Sequence, residues 1–164
     1  QMIVAVAHNK GGVGKTTTVV QLAGELKPEI IIDLDAHQGI AIINGRRPVE
    51  QRWDVRAGLE KAALIKLLKA ADEHLVLIDC GGFDSELVRI AIASADLIIA
   101  PSNDDITEQI GLVRFNRVLS EISQATGETI QAHVLITRTN PNRKNFSAIS
   151  DELTSLPHLT MVSS

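Results

Sequence analysis

The sequence has few cysteines and few aromatic residues. Among its 164 residues are one cysteine, Cys80, one tryptophan and no tyrosine. A single thiol cannot form a disulfide within the chain, and it suits a reducing compartment such as the cytoplasm. The composition therefore excludes a disulfide-stapled scaffold.

Long apolar runs are also lacking. No stretch of the sequence approaches the roughly 20 apolar residues that a membrane-spanning helix requires, and we recognise no signal peptide. Nor do we find internal repeats, linkers or low-complexity segments. Hydrophobic residues make up 45% and charged residues 22% of the chain, which is typical of a globular protein. We expect one cytoplasmic domain spanning residues 1–164, without membrane contact.

Positive charge is scarce overall, with 16 basic against 20 acidic residues and a net charge of −4. Any contact with nucleic acid must therefore come from a local basic patch. Two segments are candidates: the arginines at 46, 47, 52 and 56 around Trp53, and the basic loop 137–145. Basic residues around an aromatic side chain can stack on bases. For both segments an ordinary solvated loop is the alternative.

What the sequence does contain is an alternation of aliphatic runs and helical patterns. This order is typical of an α/β protein with a mostly parallel central sheet flanked by helices. The predicted strands span residues 2–7, 29–35, 53–56, 75–79, 96–101, 130–137 and 158–162. The predicted helices span residues 19–26, 39–43, 59–71, 85–93, 105–124 and 147–156. Asp105 and Glu108 predict a capping box at the start of one of these helices.

A glycine-rich segment, KGGVGKTTT from Lys10 to Thr18, joins the first strand to the first helix. Its glycines lack Cβ atoms, so backbone amides can approach a ligand closely, and the helix N-terminus adds positive potential. This strand–loop–helix context predicts a P-loop in which Lys15 reaches the β- and γ-phosphates and Thr16 ligates Mg²⁺. The residues predicted to bind the nucleotide are Gly11, Gly12, Val13, Gly14, Lys15, Thr16 and Thr17.

Aspartates end two of the predicted strands. Asp33 and Asp35 close the second strand, and Asp79 closes the fourth, just before Gly81 and Gly82. Ligands bind at the carboxyl ends of the strands in such sheets. We therefore expect Asp79 to hold a Mg²⁺-bound water beside Thr16. We expect Asp35 to lie at the metal and to orient the attacking water.

Three motifs together carry a family resemblance. Asn9, directly before the segment KGGVGKT, stands where the general P-loop pattern has glycine, and a second lysine, Lys10, opens the loop. It resembles the deviant Walker A signature of the ParA/MinD family of dimerising ATPases. DLDAHQ resembles that family's D-x-D-P-Q motif, except that Ala36 replaces the proline and His37 displaces Gln38, so no role is carried over to Gln38. ADLIIAP resembles a further family segment. The chain is most similar to the small plasmid-partition ParA proteins.

The resemblance implies a function. Two subunits would sandwich two ATP molecules with Mg²⁺. Lys10, Lys15 and Asp35 would act catalytically, and Lys10 of each subunit would cross to the partner's nucleotide. The ATP-bound homodimer would bind DNA nonspecifically and associate with the nucleoid. A ParB-like or other partner would stimulate slow ATP hydrolysis that drives plasmid or chromosome partition. Members of the family continue past the point where this sequence stops, so we expect it to lack their C-terminal helices.

Other functions remain open at this stage. A MinD-like ATPase that cycles on a membrane would need an amphipathic C-terminal helix. A nucleotide-dependent scaffold with little hydrolysis would lose the D-x-D carboxylates, and the altered DLDAHQ segment leaves this possible. An iron–sulfur reductase of the same superfamily needs two cysteines per subunit and is excluded. For a small-molecule kinase or synthetase we find no residues that would form a substrate pocket.

Overall fold

The computed structural model describes residues 2–8, 15–71, 73–137 and 156–163. The strands are β1 Met2–Val6, β2 Ile30–Asp33, β3 Val55–Ala57, β4 Leu75–Asp79, β5 Leu97–Asn103, β6 Ala132–Thr137 and β7 Leu159–Ser163. The helices are α1 Lys15–Leu26, α2 Gly39–Gly45, α3 Lys61–Lys69, α4 Glu86–Ser94 and α5 Ile106–Thr126, with a 3-10 turn at Val49–Gln51. No described helix is both long enough and apolar enough to cross a membrane.

The strands form one seven-stranded sheet in the order β3-β2-β4-β1-β5-β6-β7. Every pair of neighbouring strands is parallel. The expected α/β fold with a parallel central sheet is confirmed. Because β1 lies between β4 and β5, the chain that leaves β1 emerges at the middle of the sheet.

Both faces of the sheet are covered, which explains why its strands are aliphatic throughout. On β1, Ile3 and Ala5 pack into one hydrophobic cluster while Val4 and Val6 pack into another. Buried residues of α1 and α2 belong to the second cluster, and buried residues of α3, α4 and α5 belong to the first. The two clusters hold the strand ends, and therefore the polar residues that follow them, in fixed positions.

Several predicted boundaries differ from those observed. The strand β2 ends at Asp33 rather than Asp35, because the Asp33 carboxylate accepts a hydrogen bond from the Asp35 amide and turns the chain. The helix α2 continues past the predicted end at residue 43 through Asn44 and Gly45, a residue pair that is typical of turns. Here the Asn44 side chain bonds the backbone of Trp53 in both directions instead of forming a turn.

The predicted capping box on α5 is only half right. Asp105 is the N-cap and accepts from the Thr107 amide at 2.9 Å. Glu108 instead accepts from the Asn103 amide, while the Asp105 amide donates to the Asn103 side chain at 2.8 Å. The loop expected after β6 and the helix expected at 147–156 lie largely outside the described residues.

Candidate nucleotide site

The carboxyl end of β1 opens the candidate site. The Ala7 amide donates to the Ile99 carbonyl on β5, and the Cys80 amide after β4 donates to the Val6 carbonyl, both at 2.9 Å. The chain leaving β1 is therefore held between β4 and β5 as it enters the KGGVGKT segment. Of the residues predicted to bind nucleotide, Lys10, Gly11, Gly12, Val13 and Gly14 lie outside the described part of the chain.

The helix α1 starts at Lys15, so Lys15, Thr16 and Thr17 form its first turn. No acidic residue lies in that turn. The free amides of a helix N-terminus carry partial positive charge and favour a bound anion. An acidic residue there would have competed with a phosphate for the same amides. The start of α1 thus fits a phosphate group.

Asp79 is the last residue of β4, and its side chain is buried, with 1% of its surface exposed. One carboxylate oxygen, Oδ1, accepts from the His8 ring Nε2 at 2.9 Å and from the Gly81 amide at 3.1 Å. No described residue donates to the other oxygen, Oδ2. The carboxylate is therefore oriented through one oxygen and keeps the second for a ligand.

His8 is a candidate site residue that the sequence interpretation missed. It is only 4% exposed, and its other ring nitrogen, Nδ1, has no hydrogen-bond partner among the described residues. Since the carboxylate accepts, Nε2 carries the proton of the bond to Asp79. The signal that could have found His8 is topological: it follows β1 by two residues, and β1 pairs with β4 in a register that sets Val6 opposite Asp79.

Asp33 and Asp35 have different roles. Asp33 is buried and accepts from the backbone amides of Asp35 and Ala41, so it fixes the chain after β2 and the start of α2. Burial raises the pKa of its carboxyl, the backbone bonds oppose this, and nearby Asp79 and Asp35 add to the rise. Asp35 is half-buried, and its carboxylate accepts only from the His37 amide among the described residues. Its carboxylate is the more available of the two.

The turn after β4 brings Asp35 and Asp79 to one place. The register sets Asp33 opposite Asp79, and the Leu34 amide donates to the Asp79 carbonyl at 2.8 Å. Gly81 has a φ of +69°, and a Cβ built on it would lie 2.5 Å from the Asp35 Cα. Only glycine fits this position, because a side chain would collide with the backbone that carries Asp35.

The donor set fits Mg²⁺ bound together with a nucleotide. Within the described ranges, no three His, Cys, Asp or Glu side chains form a metal-binding cluster. Mg²⁺ usually takes one or two carboxylates and completes its shell with waters and phosphate oxygens. Asp79 and Asp35, brought together by the turn after β4, supply two such carboxylates. A cation held by protein ligands alone would require more ligands than these two carboxylates.

Cys80 follows Asp79 directly and is 2% exposed. Burial, together with the adjacent Asp79 carboxylate, raises the pKa of its thiol. A thiol that stays protonated is a poor nucleophile. Cys80 is therefore a small packed residue of the hydrophobic core.

The family model of the VirC1 protein matches residues 1–163. The chain belongs to the VirC1 protein family. It is also similar to the protein ParA of Rhizobium radiobacter, with 27% identity over 145 residues, 85% of this chain and 65% of that protein. A second relative is the maintenance of carboxysome distribution protein A of Gloeobacter kilaueensis, with 29% identity over 104 residues, 61% of this chain and 48% of that protein. The chain thus spans about half to two thirds of the length of these relatives.

Solved structures share the fold of this VirC1-family chain. A plasmid partition protein from Borrelia burgdorferi bound to AMPPNP has a TM-score of 0.70 and 18% identity, covering 99% of this chain and 86% of that chain. McdA from Cyanothece in complex with ATP has a TM-score of 0.71 and 14% identity, covering 100% and 82%. MinD from Pyrococcus horikoshii with Mg-ADP has a TM-score of 0.56 and 18% identity, covering 99% and 81%. The predicted membership of the ParA/MinD group is confirmed.

Proposed function

We propose that this VirC1-family chain is a Mg²⁺-dependent ATPase that works as a ParA-like positioning switch. One observation carries the proposal: Asp35 and Asp79 lie at the same edge of the sheet, held there by Gly81. This edge adjoins the end of β1, and the sequence KGGVGKTT leads from there into α1. The relatives named for plasmid partition and carboxysome distribution support a role in positioning.

Each residue then has a defined task. The amides from Gly11 to Thr17 and the Lys15 ammonium hold and neutralise the phosphates. The Thr16 hydroxyl and the Asp79 and Asp35 carboxylates would hold Mg²⁺, which would supply charge neutralisation at the β- and γ-phosphates. Asp79, fixed through Oδ1 by His8 and Gly81, would hold the ion through a water at Oδ2. Asp35 orients the water that attacks the γ-phosphate.

Dimerisation supplies the last charge. Lys10 opens the phosphate-binding segment and reaches the nucleotide of the partner subunit. A cation supplied from outside the site raises hydrolysis in related NTPases by about 10³–10⁵. Hydrolysis therefore stays slow until two ATP-bound subunits meet. The dimer binds DNA nonspecifically, and a ParB-like partner protein accelerates the hydrolysis that separates the subunits.

The experiment is a calorimetric titration of ADP and of a non-hydrolysable ATP analogue with Mg²⁺, using the wild type and Lys15→Ala. The substitution removes charge-assisted hydrogen bonds worth about 3 kcal/mol, so we expect the Kd to rise roughly a hundredfold. Lys66→Ala, which removes an exposed lysine from α3, is the matched control and should bind like the wild type.

Equal affinity of Lys15→Ala and the wild type would contradict the nucleotide site. ATP turnover is then followed with and without DNA. Tight nucleotide binding without turnover under either condition would contradict the ATPase and favour the nucleotide-dependent scaffold.

A further inference from the structure

Several arginines lie at the edge of the sheet opposite the candidate nucleotide site. The helix α2 begins beyond the carboxyl end of β2 and runs back past it. The chain then re-enters the sheet at the start of β3, where the Asp54 carbonyl accepts from the Ile31 amide near the start of β2. The residues between α2 and β3 therefore lie at the amino edge of the sheet.

Three arginines of this connection, Arg46, Arg47 and Arg52, are here called the arginine turn. They form no ion pair with any acidic residue in the described part of the chain. Two other arginines differ, since Arg56 is paired with Asp54 at 2.6 Å, and Arg89 is paired with two carboxylates. The charge of the arginine turn is thus uncompensated.

The charge of the segment 46–53 is also opposite in sign to the net charge of the whole chain. Between residues 46 and 53 the only acidic residue is Glu50, which is exposed and makes no ion pair with a described residue. The segment therefore has a surplus of positive charge on a chain whose net charge is −4. Such segregation creates a local positive potential that attracts a polyanion.

Backbone carbonyls hold two of the guanidinium groups without neutralising them. Arg52 donates to the Gly45 carbonyl at 2.9 Å and to the Arg47 carbonyl at 3.0 Å. Arg47 donates to the Gln51 carbonyl at 3.1 Å. Because these side chains are already restrained, they lose less rotamer entropy when they bind a ligand.

Trp53 supports the turn instead of presenting a free ring. Arg47 lies over the ring, with its Cζ 3.9 Å from the ring centroid. The backbone of Trp53 is fixed by the Asn44 side chain, and its ring packs partly against the core. Since Arg47 covers one face of the ring, that face cannot stack on a base. The structure favours contacts to phosphates over the base stacking considered for Trp53 from the sequence.

We propose that the arginine turn binds the phosphate backbone of nucleic acid. This inference rests on the proposed function, and it places the DNA-binding surface at the edge opposite the nucleotide. An acidic protein would be the alternative partner, but protein interfaces have a largely apolar centre. Val49, which is 72% exposed, is the only large exposed apolar residue of the segment 46–53. A polar, strongly positive surface is typical of protein–DNA interfaces.

The test measures binding of a short fluorescein-labelled duplex of random sequence by fluorescence anisotropy. It uses the full chain with Mg²⁺ and a non-hydrolysable ATP analogue, over a range of salt concentrations. The variant Arg46→Gln/Arg52→Gln should lower the slope of log affinity against log salt by about 0.9 for each lost phosphate contact. At about 0.1 M salt the affinity should fall roughly tenfold to a hundredfold. Glu50→Gln should bind more tightly than the wild type.

Two controls accompany the variant. Lys66→Gln/Lys69→Gln removes the same charge from α3 and should keep the wild-type salt slope. Arg46→Lys/Arg52→Lys keeps the charge and should keep most of the affinity, which separates loss of charge from disturbance of the turn. Thermal melting of each variant checks that it is folded.

Three other outcomes of the binding experiment would each contradict a different part of the proposal. If the arginine variant binds the duplex with wild-type affinity and slope, the arginine turn is not the binding surface, and the proposed function stands. If the wild type binds no duplex in any nucleotide state, the DNA-binding part of the proposed function is also wrong. If polyglutamate binds in an arginine-dependent way and the duplex does not, the partner is an acidic protein and the inference fails.

Discussion

His8 and Gly81 constrain the Asp79 carboxylate from two sides, and both act on the same oxygen. A buried carboxylate with two donors on Oδ1 cannot rotate freely. In the proposed site, a metal-bound water would therefore meet Oδ2 in one orientation. His8 would then be a positioning residue that acts on the metal through Asp79 without touching it.

Replacing His8 tests this role. His8→Ala removes a hydrogen bond to a charged group, worth about 1.5 kcal/mol or more, so the Kd of Mg-ADP should rise about tenfold. The affinity for ADP in EDTA should not change, since phosphate binding by α1 is intact. His8→Gln can still donate to Asp79 and should recover most of the affinity. Calorimetric titrations with and without Mg²⁺ measure both quantities.

Two outcomes would contradict the positioning role of His8. A uniform loss of ADP affinity, equal with Mg²⁺ and with EDTA, would mean that His8 supports only the local fold. An unchanged Kd in both conditions would mean that the contact with Asp79 has no part in metal binding.

At the level of elements, the short turn after β4 brings together the aspartates that follow β2 and end β4. Its Gly81 lies against the backbone of Asp35, so β2 and β4 share one polar edge beyond their hydrogen-bonded ladder. The neighbouring Gly82 has no heavy atom within 4 Å of the position where its Cβ would be. A side chain is therefore excluded at Gly81, whereas there is room for one at Gly82.

Gly81→Ala and Gly82→Ala form a matched pair. Alanine at Gly81 must adopt a left-handed conformation, costing about 1–2 kcal/mol, and its Cβ must also displace Asp35. We expect lower ATP turnover and a lower melting temperature. Gly82→Ala should match the wild type within about 0.5 kcal/mol in unfolding free energy. Chemical denaturation and a phosphate-release assay measure the two effects, and equal behaviour of both variants would refute the close approach of Gly81 to Asp35.

Much of this arrangement could be predicted, because aliphatic runs that end in aspartate mark buried strands and their functional edge. The positions of Asp35 and Asp79 at the carboxyl edge of the sheet were predicted in this way. The end of β2 at Asp33 could not be predicted, since it depends on a side chain that bonds the next residues of its own chain. His8 was missed because its partner lies 71 residues away, on a strand whose register the sequence does not give. Glu108 bonds the Asn103 amide instead of the amide of its own N-cap because the end of β5 leads directly into α5, a local geometry that the capping-box pattern does not specify.

At the level of the whole molecule, the two proposed functions occupy opposite edges of one sheet. The nucleotide edge lies at the carboxyl ends of β1, β2 and β4, and the arginine turn precedes β3. If two subunits meet at their nucleotide edges, both arginine turns remain outside the contact. The dimer then carries two separate surfaces for one duplex, and linked binding raises the overall affinity without any new contact.

Lys10→Ala separates a dimerising switch from an ordinary P-loop enzyme. ADP binding should stay within a few-fold of the wild type, because Lys15 and the phosphate-binding amides are retained. An interfacial charge whose partner stays buried costs about 2–5 kcal/mol on truncation, so dimer affinity should fall by roughly two to three decades. Light scattering with a non-hydrolysable ATP analogue measures the dimer, and single-turnover hydrolysis measures the reaction. A variant that dimerises and hydrolyses ATP like the wild type would show that Lys10 is a surface lysine.

The burial of Cys80 has a practical consequence. It is the chain's only cysteine, and its thiol is both shielded and held protonated. The native chain therefore behaves toward maleimides almost as if it had no cysteine, and a cysteine introduced on the surface can be labelled selectively without first replacing Cys80. Since Cys80 lies between Asp79 and Gly81, its slow reaction with a small disulfide reagent also reports how often the turn after β4 opens.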